Sequence, residues 1–243
     1  MNMQSRPRPA AHGDALLEQM SRESRRFLQD CRRRARVVKP GTGLVGEGDD
    51  APGAVWVLSG RIALQKTMDD GRRVLFDLLL PIDVLHPAAA DTCSSSFEAV
   101  ADATSVVAFF SHEEAGRLHR GVAGLAPIIS LLEAAARARQ AERMLRIVQG
   151  RAEERVAFLL LELALRTQCE AVLAGRAIDL ALSQRVVGDM TGLTNVHVCR
   201  VMRRLADRAV LRPLRGRVEL RDVAALAAIA HADPHALARA ILV

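Results

Sequence analysis

Two textures of hydrophobic and polar positions divide the chain. From Lys39 to Phe110 short apolar runs alternate with turn residues. The turn signals are Pro40-Gly41-Thr42-Gly43, Gly46-Glu47-Gly48-Asp49-Asp50, Pro52-Gly53, Ser59-Gly60 and Asp69-Asp70-Gly71. Between them, Ala54 to Leu58, Arg61 to Lys66, Val74 to Leu79, Phe97 to Val100 and Thr104 to Phe110 read as strands. The second of these partly alternates polar and apolar, the period of a half-buried strand. Several short strands with turns at close intervals predict a β barrel or roll.

Elsewhere the spacing is helical. Leu16, Leu17, Met20, Phe27 and Leu28 predict a short helix within residues 14–34, after a Pro- and Arg-containing arm expected to lack regular structure. Its tail, Arg32-Arg33-Arg34, is expected to be solvated. Ser111-His112-Glu113-Glu114 fits a capping box. The longest helix is expected from about Pro127 to Val148. Leu125, Ile128, Leu132, Ala135, Arg139 and Glu142 follow a 3-4 spacing along it. That seam suits a two-stranded coiled coil, or a helix packed on its own domain. Gln149-Gly150 breaks it, and Arg151 to Leu160 opens a further apolar helix. Gln168 to Arg176 reads as a loop and Ile178-Asp179-Leu180 as a short strand.

Leu182 to Leu205 predicts two short helices around a tight turn. Ser183 and Thr194 are good N-caps, and Gly192 supplies the positive φ of a sharp turn. Gly188 costs helix stability, which close approach of the second helix would explain. Val187, Met190, Leu193, Val198, Val201 and Leu205 make one apolar face. Asn195, Val196, His197, Cys199, Arg200 and Arg203 lie on the other sides. The pattern is a helix-turn-helix with a basic outer face. Val210 to Leu220 then reads as a two-stranded wing turning at Arg215-Gly216, and Asp222 caps a last Ala-rich helix.

Charge sharpens this picture. The formal net charge is +6, and residues 176–221 hold ten Arg against four acids. Basic charge gathered around a helix-turn-helix is the footprint of a polyanion binder. Six Phe, one Trp and no Tyr leave little for stacking on single strands. Cys31, Cys93, Cys169 and Cys199 have neither zinc-finger nor disulfide-framework spacing. The N-terminus lacks a signal-peptide core, and no apolar run is long enough to span a membrane. A reduced cytoplasmic setting is expected. No Ser/His/Asp or metal-ligand spacing appears, so an enzyme is not expected.

The series Gly41, Glu47-Gly48-Asp49, Val55 to Ile62, Asp70-Gly71-Arg72 and Leu78-Leu79-Leu80-Pro81 resembles the cyclic-nucleotide-binding β-roll. The AEERVAxxLLxLA pattern from Ala152 resembles the entry helix of the Crp/Fnr DNA-binding domain. Together they resemble Crp/Fnr transcription regulators from about Lys39 to Ile229. The resemblance implies an α+β chain: arm and helix over 1–38, β-roll sensor over 39–118, dimerisation helix over 119–150 and winged helix-turn-helix over 151–243. It implies a homodimer on a palindromic duplex site, with RNA polymerase as a partner and the 3-4 seam as the dimer interface. Arg200 would read a guanine, since its fork can donate to O6 and N7. Ser183, Thr194, Asn195, Val196 and His197 accompany it, and Arg203, Arg204, Arg215 and Arg217 are expected on phosphates. The competing class is a small-molecule-sensing signalling module whose basic C-terminal domain contacts a protein.

Three departures matter. Val196 stands where the family often has glutamate, and it can make only apolar contact, for instance with a thymine methyl. Cys199 stands where the family often has serine. A thiol beside arginines favours thiolate and oxidation, so Cys199 is the candidate for a redox brake. The segment matching the cyclic-phosphate cradle lacks the Gly-Glu pair and holds no Arg or Lys between Arg73 and Arg117. Cyclic AMP binding is therefore not expected. Cys31 and Cys93 alone cannot hold a four-cysteine iron–sulfur cluster. No cofactor is expected; haem would need His86, His112 or His119 as axial ligand.

Overall fold

The structure is a computed structural model, and it describes residues 29–49, 53–85, 94–121 and 125–242. His86, Cys93 and most of the expected N-terminal helix lie outside those residues, which begin with a helical turn over residues 29–33. Eight strands form the first part: β1 Ala35–Val38, β2 Gly43–Val45, β3 Ala54–Ser59, β4 Ile62–Thr67, β5 Arg73–Leu79, β6 Val84–Leu85, β7 Glu98–Ala101 and β8 Ser105–Phe110. They make two antiparallel four-stranded sheets, β1-β8-β3-β6 and β2-β7-β4-β5. β1 pairs with β8 along its length, so the roll takes in four residues expected in the N-terminal arm.

Alternation along the strands decides what each face covers. Val55 and Val57 of β3 point between the sheets, with Ile62, Leu64, Leu79 and Val107. Ala54 and Trp56 point outward, against Cys31, Phe110, Ala115 and Leu132. Burying a side chain of this size stabilises by about 1.5–3 kcal/mol. The second sheet is covered from outside too. Ala63, Leu75, Leu78 and Leu80 join the apolar cluster of the C-terminal half.

α1 (His112–Gly121) begins at the expected capping box: Ser111 Oγ accepts from Glu114 N at 3.2 Å, and Glu114 Oε2 accepts from Ser111 N at 2.9 Å. α2 spans Leu125–Gln149. Three residues of the face expected to meet a partner are instead buried on their own chain. Leu132, Ala135 and Arg139 are buried, Leu132 against Trp56 and Phe110, Arg139 against Asp83. Glu142 is taken up by Arg146 at 2.6 Å. Leu125 and Ile128 fall where only the backbone is described. The adjacent 3-4 series, Leu131, Ala134, Ala138, Ala141, Leu145 and Val148, is open apart from the half-buried Ala138, with Leu145 58% and Val148 65% exposed, and Met144 and Ile147 beside it are exposed too. Two parallel seams exist on this helix, and the middle of the first, Leu132 to Arg139, is covered by the roll and α7.

α3 (Ala152–Leu173) is the buried axis of the C-terminal half. It continues through the segment expected as a loop, with a kink at Gln168 (φ −146°, ψ 49°). The chain ends in two helices rather than one, α6 (Val223–Ile229) and α7 (Pro234–Ile241), separated at His231 (φ 48°). α7 packs against α2 and α3, and Ile241 O accepts from Arg139 Nη1 at 3.2 Å. Among the described residues no helix is long and apolar enough to cross a membrane.

A charged cluster ties these parts together. Asp77 and Asp83 come from the roll, Arg139 and Arg143 from α2, Glu162 and Arg166 from α3. Arg143 donates to Glu162 and to Asp77, both at 2.7 Å. Asp83 pairs with Arg139 at 3.0 Å and with Arg166. All six side chains are nearly buried, which is tolerable because the charges are matched three to three and multiply hydrogen bonded. Asp83 also accepts from Leu80 N at 2.8 Å, closing a turn in which Ile82 takes φ 85°, a conformation β-branched residues avoid.

Candidate DNA-reading site

The site is built on α4 (Gln184–Thr191) and α5 (Asn195–Asp207). Ser183 caps α4, its Oγ accepting from Val186 N at 3.3 Å. Gly192 closes α4 at φ 67°, and Thr194 caps α5 by accepting from His197 N at 3.3 Å. A Cβ on Gly188 would lie 2.9 Å from Leu193 O, so the turn approaches α4 closely enough to require glycine. Val187, Met190, Val198, Val201 and Leu205 are buried and Leu193 is half-buried, which orients α5 about its axis. The other side of α5 is therefore outward. Asn195, Val196, His197, Cys199, Arg200, Arg203 and Arg204 are all exposed around an open concavity of about 740 Å³.

The cations divide into two groups. Arg204 and Arg208 share Glu153, Arg204 at 3.8 Å, and Arg217 pairs with Asp179 at 3.2 Å. Arg200, Arg203 and Arg215 have no ion pair among the described residues. Arg215 stands at the tip of the wing formed by β10 (Leu211–Leu214) and β11 (Arg217–Leu220), to which β9 (Ile178–Leu180) adds a third strand. His197 Nδ1 lies 3.3 Å from Thr194 Oγ1.

Cys199 donates its thiol to Gln184 Oε1 at 2.9 Å and is exposed. Gln184 had no motif to mark it; only the docking of the two helices brings it to Cys199. Cys31 and Cys169 are both buried. Burial, helped by Asp30, pushes the Cys31 thiol up to about 12. Burial also raises Cys169. The six-charge cluster was likewise unmarked, although a lone Glu162 in the apolar run Leu159 to Leu165 was a local signal. Of the conceivable haem ligands, His112 is exposed, and the side chain of His119 is not described.

Comparison with known proteins agrees with this arrangement. The Crp-like helix-turn-helix domain matches residues 154–229, and the cyclic nucleotide-binding domain matches residues 35–120. The nitrogen fixation regulation protein FixK of Rhizobium meliloti (strain 1021) is 30% identical over 173 residues, 71% of this chain and 75% of the relative. FixK of Azorhizobium caulinodans is 31% identical over 190 residues, 74% of this chain and 73% of the relative. The solved structure of FixK2 from Bradyrhizobium japonicum is 25% identical with a TM-score of 0.68, covering 80% of this chain and 96% of that one. A roll, a long helix, a capped helix-turn-helix and a wing occur here in one order, and regulators rather than enzymes share both order and sequence: the chain belongs to the Crp/Fnr family of transcription regulators.

Proposed function

We propose that the chain is a sequence-specific regulator that binds a two-fold-related duplex site as a homodimer. The observation that carries this is Arg200, exposed and without an ion pair on the outward face of α5. A free guanidinium fork there is positioned to donate to guanine O6 and N7. Asn195, Val196 and His197 enter the groove with it. Arg203 and Arg215 meet phosphates directly. Arg204 and Arg217 do so by exchanging Glu153 and Asp179 for phosphate. Ser183 and Thr194 act by capping the two helices.

The dimer forms along Leu131, Ala134, Ala138, Ala141, Leu145 and Val148, the exposed apolar seam of α2. Two α5 helices then enter successive major grooves about 34 Å apart. RNA polymerase is the further partner. The roll does not take a cyclic nucleotide, since residues 74–116 contain no Arg or Lys to hold its phosphate. Oxidation of Cys199 weakens binding by placing a charged or bulky sulfur group on the reading face.

Selection of duplexes from a random pool, followed by affinity measurements across salt, tests the reading. A two-fold-related site, a steep loss of affinity with salt and loss of sequence preference in Arg200→Ala are expected. Salt-insensitive or absent duplex binding overturns it in favour of a protein partner for the basic domain.

A further inference from the structure

Val196 is the one large apolar side chain among the described residues 151–242 that is exposed, at 59%. Every other large apolar residue of α5, namely Val198, Val201, Met202 and Leu205, is buried. Val196 is therefore not part of the apolar core that docks α5 on its own domain. It sits in the first turn of the helix, one turn before Arg200 on the same side.

The face they share is also defined by what it lacks. From Asn195 to Ala206 there is no carboxylate, and Asp207 is the first acid. This surface cannot accept from cytosine N4 through an acidic side chain. Its neighbours are partly engaged: Cys199 donates to Gln184, and His197 lies against Thr194. Beside the exposed Asn195 and the unpaired Arg203, one turn of the helix thus sets an isolated apolar group next to a free two-pronged donor.

In the major groove the apolar feature that distinguishes base pairs is the C5 methyl of thymine. Residues four apart are separated by about 6 Å along a helix, and base pairs by about 3.4 Å. We propose that Val196 is a specificity-determining residue that reads the C5 methyl of a pyrimidine within two base pairs of the guanine bound by Arg200. The proposal rests on the DNA-reading role of α5 given above. It makes the preferred base at this position depend on a methyl group rather than on a hydrogen bond.

The test uses the full-length protein and its best-bound duplex. Each thymine is replaced in turn by deoxyuridine, which removes only the methyl. Wild type should lose about fourfold in affinity at one position per half-site, the size expected for one buried methyl. Val196→Ser should show no loss there. At the same position 5-methylcytosine should bind better than cytosine by a similar factor, and Val196→Glu should shift the preference to unmodified cytosine. Val196 is exposed and stands outside the apolar core of its domain, so these variants keep the fold, checked by thermal melting. Uniform tolerance of deoxyuridine by wild type, or the same loss in Val196→Ser, overturns the proposal. Binding that needs Arg200 but is blind to every methyl removes this inference alone; binding indifferent to Arg200→Ala removes the DNA-reading role with it.

Discussion

Arg143 and Glu162 meet at 2.7 Å with 7% and 0% of their side chains exposed. The pair joins the long helix to the axis of the reading domain, and Asp77 brings the roll into the same contact. Three parts of the chain thus share one buried guanidinium. Removing one partner leaves a buried charge uncompensated, whereas removing the pair does not. Asp77→Asn should therefore destabilise by about 3 kcal/mol, read from the urea midpoint. Asp77→Asn with Arg143→Met should recover part of that loss. A double variant no more stable than the single one would count against the charge argument.

Acid should act on the same contact. Burial alone would raise the Asp77 pKa, but the charges of Arg143 and Arg166 outweigh it and hold the carboxyl below its usual range. Its unfolded pKa is about 3.9. The stabilisation is thus present at neutral pH and is lost as pH falls below about 4 through the lower folded value. Urea midpoints measured from pH 7 to pH 3 should fall more steeply for wild type than for Asp77→Asn. Parallel curves would contradict the assignment.

The two seams of α2 separate by sedimentation. Ala141→Arg with Leu145→Arg places charge on the open seam and should yield monomers with little loss of fold. Glu142→Gln, on the other seam and paired with Arg146 of the same helix, should remain dimeric. A dimer that survives the double arginine variant would place the interface elsewhere.

Gly188→Ala tests the close approach in the helix-turn-helix. The added Cβ would meet Leu193 O at 2.9 Å, a backbone atom that cannot swing aside. Overpacking of this kind costs about 1–3 kcal/mol, even though alanine is the better helix former. A more stable Gly188→Ala protein would show that the turn has slack.

Peroxide distinguishes the thiols. Cys199 is exposed, while Cys31 and Cys169 are buried. Treated wild type should lose duplex affinity and regain it on reduction, and Cys199→Ser should be insensitive. Equal loss in Cys199→Ser would place the sensitive group elsewhere.

The local devices were legible because their causes are local. A capping box needs four consecutive residues, and the bend between α4 and α5 needs Ser183, Gly192 and Thr194 at set offsets. The wing and most strand limits follow from turns and alternation in the same way. Gln168 misled because polar residues after an apolar helix look like a loop; only the depth of α3 in the core, with Val172 buried, carries the helix past it.

What the amino-acid order determined by itself is the order of most elements, the apolar face that turns α5 and the basic character of its outer side. All follow from periodicity and short-range hydrogen bonding. Tertiary structure alone decided which of two equivalent 3-4 seams on α2 is free, because both satisfy the heptad spacing and only the roll's outer face, with Trp56 and Phe110, chooses between them. It also decided that Asp77, Asp83, Arg139, Arg143, Glu162 and Arg166 form one cluster. Those residues come from three distant segments, and no spacing along a chain records a charge balance that exists only after the segments pack.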